Sequence, residues 1–224
     1  AQEFTTANNL IQKDLEGVRA RASQFIFPEH SEDIYDPITG VAVTTIPLKV
    51  VSDDYFTVSS DVQFFDRPDT YKITNVDTTN NTITIASPGI TETVEYDETN
   101  NKGVVLVNNT LCRGSITTGL GAKFKDKISP DLATAPPGIP PEYSNYQPVS
   151  GYNPYDLYEG KKADIDTRKK LWLMRSDTVA NRSPYDSIEV KYVVFKEVSS
   201  SVYKVLAEFS SEVIPNASFQ CPKL

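Results

Sequence analysis

Seven of the 26 residues between 129 and 154 are proline, at positions 130, 136, 137, 140, 141, 148 and 154. Each proline fixes φ and removes an amide donor, so this stretch can be neither a helix interior nor a central strand. It therefore cuts the chain in two. Tyr143, Tyr146, Tyr152, Tyr155 and Tyr158 are interleaved with the prolines. The expectation is an extended, polyproline-like arm carrying flat amphipathic rings, suited to lying along another surface.

Before the break stand two textures. Ile11, Leu15, Val18, Ala22 and Phe25 recur at spacings of four and three, while Lys13, Asp14, Glu16, Arg19 and Arg21 fall elsewhere. That pattern predicts an amphipathic helix over 6–27, capped by Thr5 or Thr6 and stopped by Pro28. About 20 residues are too few for a strong coiled coil. The stripe must be buried on the chain's own β body or on a neighbouring subunit, and its own body is the simpler choice.

After an acidic linker, Val, Ile, Thr, Tyr and Phe dominate, residue types that suit a pleated, half-buried surface. Strands are expected at 42–51, 55–65, 70–76, 81–86, 91–96 and 102–107. Asp77-Thr-Thr-Asn-Asn, Ser87-Pro-Gly and Asp97-Glu-Thr-Asn-Asn make the turns between them. Beyond the arm, strand texture returns at 170–175, 187–198 and 202–209, the last two joined as a hairpin through Ser199-Ser-Ser. The predicted fold is mainly β: an antiparallel sandwich or barrel-like body with an N-terminal amphipathic helix and a long Pro/Tyr-rich extended arm. Its parts are a helical extension (1–28), a β body (29–128), the arm (129–160) and C-terminal strands completing the body (161–224).

Charge narrows the partners. With 22 Lys and Arg against 30 Asp and Glu, the net charge is −8, a repulsive field for phosphate backbones. Nucleic acid is not expected. No apolar run approaches the roughly 20 residues that span a bilayer, so membrane insertion is not expected either. The start Ala1-Gln2-Glu3 is compatible with loss of an initiator Met and with signal-peptide cleavage. Sequons begin at Asn80, Asn108, Asn181 and Asn216 and matter only on a eukaryotic secretory route.

Catalytic chemistry finds little footing. The single histidine, His30, sits in Pro-Glu-His-Ser-Glu-Asp with no nucleophile signature near it, and reads as a surface residue. Gly114 to Lys123 lacks the Lys-Ser/Thr of a phosphate loop and reads as a flexible turn, with no helix expected after it. Asp97, Thr99 and Asn101 alternate as in a calcium loop, but Lys102 and Asn108 replace its glycine and bidentate Glu. Asp164 and Asp166 are flanked by Lys161, Lys162 and Arg168, cations that can neutralise them without a metal. Cys112 and Cys221 lack CxxC spacing and histidine neighbours, so no zinc site or redox pair is signalled. A bridge between them stays open, although so low a cysteine density argues against one.

No catalytic, cofactor or metal residues are therefore assigned. The expectation is a non-enzymatic structural subunit of a large assembly, a phage-like tail, neck or head protein of a virion. It would join other protein subunits, as a homo- or hetero-oligomer, through Ile11, Leu15, Val18 and Phe25 of the helix and Tyr143, Tyr146, Tyr152, Tyr155 and Tyr158 of the arm. The alternative is an extracellular or cell-surface β-sandwich module that binds carbohydrate through its tyrosines and Trp172. That role competes with a core one for Trp172, whose setting Leu-Trp-Leu-Met alternates like a buried strand.

Overall fold

The computed structural model describes residues 2–35, 38, 40–152, 155–157 and 169–223. Helix α1 runs from Gln2 to Gln24. It is followed by β1 (Thr45–Pro47), β2 (Asp61–Phe64), β3 (Tyr71–Asp77), β4 (Thr82–Ile85) and β5 (Leu106–Asn108). Then come α2 (Asn109–Cys112), α3 (Leu120–Ile128), β6 (Gln147–Pro148), β7 (Tyr155–Leu157), β8 (Lys169–Val179), β9 (Ile188–Ser199), β10 (Val202–Val213) and α4 (Ala217–Gln220).

The strands form two antiparallel sheets, in the order β1-β4-β3-β2-β5 and β10-β9-β8-β6, with β7 also paired to β8. Neither sheet closes into a barrel. The C-terminal strands build a sheet of their own and do not extend the first one, because β8, β9 and β10 are 11 to 12 residues long and pair with one another in sequence.

The first sheet encloses a core of Ile46, Val62, Phe64, Ile73, Ile83, Ile85 and Leu106. Its strands are shorter than their sequence texture suggests: of the expected 42–51 strand there remain β1 and isolated bridges at Val43 and Leu48, and of the expected 91–96 strand an isolated bridge from Val94 to Ile34. Two of its turns share one device. Asp77 accepts the amides of Thr79 and Asn80 and the side-chain amide of Asn80. Asp97 holds Asn100 through the same backbone and side-chain bonds. Asn81 and Asn101 then take φ of 54° and 51°, which asparagine tolerates better than most residues.

Helix α1 lies on one face of the second sheet. Ile11, Leu15, Val18, Ala22 and Phe25 share a core with Leu171 and Leu173 of β8, Val190, Tyr192 and Val194 of β9, and Leu206 and Val213 of β10. The apolar stripe is thus buried in the chain itself. Helix α3 adds Leu120, Phe124 and Ile128 to this core, in the stretch that reads as a turn from sequence. The three fall at spacings of four, and burying each is worth about 1.5–3 kcal/mol, enough to hold nine residues helical despite Gly119 and Pro130 at either side.

The proline-rich segment folds back on the same molecule. Leu132 bridges Val149, and Ala133 donates its amide to Pro148 O, so 133–148 leaves and returns at one place. Prolines start the short 3₁₀ turn Pro141–Tyr143, and Gln147 and Pro148 pair with Arg175 and Met174. Within the described residues the segment is a loop laid over its own sheet, its turns set by prolines rather than drawn out straight.

Candidate functional site

Period-two alternation gives the second sheet two unlike faces. Toward α1 point Leu171, Leu173, Arg175 and Asp177 of β8; away from it point Trp172 and Met174. On this outer face Met174, Val193 and Phe195 are fully buried, covered by Ile139, Tyr143, Tyr146, Trp172, Tyr203 and Val205. Trp172 is therefore half-buried on the outer face, opposite to the main core, where Leu171 and Leu173 alternate with it.

The outer rings meet edge to face. Tyr143 and Phe195 have centroids 5.1 Å apart at 86°, Tyr143 and Tyr146 are 5.4 Å apart at 72°, and Trp172 and Tyr203 are 6.4 Å apart at 87°. Carboxylates border them. The Tyr143 hydroxyl donates to Glu208 Oε1 at 2.8 Å, and Trp172 Nε1 donates to Glu197 Oε2 at 3.3 Å. The bond to Glu208 and the burial of the ring push the Tyr143 phenol up to about 12. The result is an aromatic ridge with an acidic rim, able to stack on a ring or an apolar face and to accept hydrogen bonds beside it.

The other face hides a charge cluster built on Asp14, which the sequence reading put outside the apolar stripe. Asp14 lies three residues after Ile11 and one before Leu15, within the apolar stripe, and is buried. Arg175, with no exposed surface, donates from Nη1 to Asp14 Oδ2 (2.9 Å), from Nη2 to Asp177 Oδ2 (3.0 Å) and to the carbonyl of Ile128 (3.0 Å). Tyr192 donates to the same Asp14 oxygen at 2.8 Å. One guanidinium is thus shared between two buried carboxylates. Burial pushes the Asp177 carboxyl above the usual carboxylate range, against the attraction of Arg175. The i, i+3 offset of Asp14 from Ile11 was the signal in the sequence; nothing local pointed to Arg175.

His30 is fully buried, a correction to its reading as a surface residue. Its neighbours explain this: the ring packs on Phe64 and Tyr96 at 5.8 and 5.9 Å, and the Val104 amide donates to Nδ1 at 2.7 Å. It orders the junction of 29–31 with 103–105. The pairing of the two cysteines, open from the sequence, is decided by the structure. Cys112 and Cys221 form a disulfide with Cα atoms 5.6 Å apart, joining α2 to the residue after α4. Among the described residues no group of three or more His, Cys, Asp or Glu side chains is placed to hold a metal ion.

The expected contact residues separate. Ile11, Leu15, Val18 and Phe25 are buried in the chain's own core, so none of them is presented to a partner. Tyr143 and Tyr146 come together on the ridge, and Tyr152 packs on the α1 core with Lys13 Nζ 5.6 Å from its ring centroid. Tyr155 lies in β7, and Tyr158, Asp164 and Asp166 lie outside the described residues. No described helix is long and apolar enough to cross a membrane. The chain matches no family model, no curated protein and no solved structure.

Proposed function

We propose that the chain is a non-enzymatic structural subunit of a large assembly, a virion protein of the tail, neck or head type. The observation that carries this reading is β10. It is 12 residues long, stands at the end of its sheet, and has β9 as its only strand partner among the described residues. A long edge strand offers a row of unpaired amides and carbonyls to another chain. Val202 and Phe209 on it and Val198 beside it are exposed, adding apolar surface to the edge.

Sedimentation from micromolar to near-millimolar concentration tests the reading. Self-association that disappears in a Val202→Lys, Phe209→Lys double variant supports it. A compact monomer throughout, with no association alongside neighbouring gene products, overturns it.

The ridge favours a second reading, a binding module for carbohydrate at an extracellular or cell surface. Tyr143, Tyr146, Trp172 and Tyr203 share one face with acidic acceptors, a set that suits sugar rings and hydroxyls, and a disulfide fits an oxidising compartment. Binding on a glycan array that is lost in Tyr146→Ala separates this reading from the first.

A further inference from the structure

We propose that the Cys112–Cys221 bridge is a thiol-exchange site selective for thiols that carry negative charge. The bridge forms part of the wall of a cleft of about 350 Å³, which Arg113, Pro184, Asp186 and Lys223 also line. A thiol can therefore reach the sulfurs without unfolding the chain. Asp186 is engaged by the hydroxyl of Ser218. Arg113 and Lys223 are exposed and, among the described residues, neither is ion-paired. The described charges of the lining are thus two cations and one anion, a local excess of positive charge on a chain of net charge −8.

Exchange begins when a thiolate attacks a disulfide sulfur in line with the S–S bond and expels the other sulfur as thiolate. Cys221 is half-buried and Cys112 is buried, so the incoming sulfur bonds to Cys221 and Cys112 leaves. Arg113 lines the same cleft and adds to its positive charge, which favours thiolate over thiol there. A second thiolate then attacks the mixed disulfide. The small thiol is released as its oxidised dimer, Cys221 is left reduced, and the two electrons and two protons gained by the bridge come from two thiols.

The chain as a whole repels an anionic thiol, so a preference for one can arise only in the cleft. One net positive charge about 5 Å away in water-like dielectric attracts an anion by under 1 kcal/mol, so the expected preference is about 3- to 5-fold in rate. The test measures exchange on the folded, full-length chain with 3-mercaptopropionate, 2-mercaptoethanol and cysteamine, each rate expressed per thiolate and divided by that thiol's rate with a small neutral disulfide, which removes the effect of thiol basicity, and the adduct located by peptide mass.

The expected result is the order anionic, neutral, cationic, with the adduct on Cys221, a preference that fades in high salt, and its loss in the Arg113→Gln, Lys223→Gln variant. Equal rates after that division, the reverse order, or an order unchanged by salt and by the variant would each overturn the proposal. The salt series uses unaltered protein, so it decides the matter even if the variant folds poorly.

Discussion

Tyr192 donates its phenolic hydrogen to Asp14 Oδ2 at 2.8 Å across 178 residues of sequence, and Arg175 Nη1 reaches the same oxygen at 2.9 Å. One carboxylate oxygen on α1 thus ties helix to sheet by charge in the buried interior, as Glu3 and Lys196 do nearer the helix start. Removing it leaves a buried guanidinium and a buried hydroxyl short of a partner. Asp14→Ala is expected to destabilise the fold by about 3–5 kcal/mol, as for other broken buried pairs. Asp14→Asn keeps an acceptor and should cost less. Urea unfolding of the two variants checks both the size and the order.

Asp177 makes stability depend on pH in an unusual direction. Its folded carboxyl holds a proton more tightly than the unfolded one, because burial disfavours the anion. The folded state is thus favoured, through this group, as pH falls through the raised value toward the ordinary carboxylate range near about 4. Glu29 and Asp54 act oppositely: Lys49 and Lys127 hold them below that range, and their contribution disappears in acid. Asp177→Asn removes only the first effect. Its denaturation midpoint should therefore fall more steeply than that of the unaltered chain between about pH 7 and 4; parallel curves would refute this account.

The disulfide closes a sequence separation of 109 residues. Chain-entropy arguments give a bridge of that span up to about 4–5 kcal/mol. Cys112→Ser with Cys221→Ser is expected to lower stability by about 2–5 kcal/mol, since the unfolded chain regains its freedom while the native packing changes little. Reduced and oxidised samples compared by denaturant midpoint provide the check.

Two glycines give opposite predictions for the same substitution. A Cβ on Gly17, exposed in the middle of α1, meets nothing within 4 Å, so Gly17→Ala should stabilise by about 0.5–1 kcal/mol. A Cβ on Gly103 would lie 2.1 Å from the backbone oxygen of His30 and 2.7 Å from its Nδ1. Gly103→Ala must move backbone in a packed junction and should destabilise by about 1–3 kcal/mol. Thermal unfolding of both variants tests the pair.

The helix stripe, the Asp-Asn turns and the strand textures were legible because each is set by residues within a few positions of one another. The spacing of Ile11, Leu15 and Val18 suffices to orient a helix, and Asp77 needs only Asn80 to close its turn. The sequence by itself determined this much: a mainly β chain, an N-terminal amphipathic helix and a proline-broken middle. Tertiary structure alone decided what that helix covers, that the last three long strands form a separate sheet, and that Trp172 faces the outer ridge. It also decided that Cys112 meets Cys221 and that Asp14 meets Arg175, 161 residues away. These contacts depend on the path of the whole chain: whether a carboxylate is solvated or buried beside a guanidinium is settled only when α1 docks on β8, and no local pattern encodes that docking.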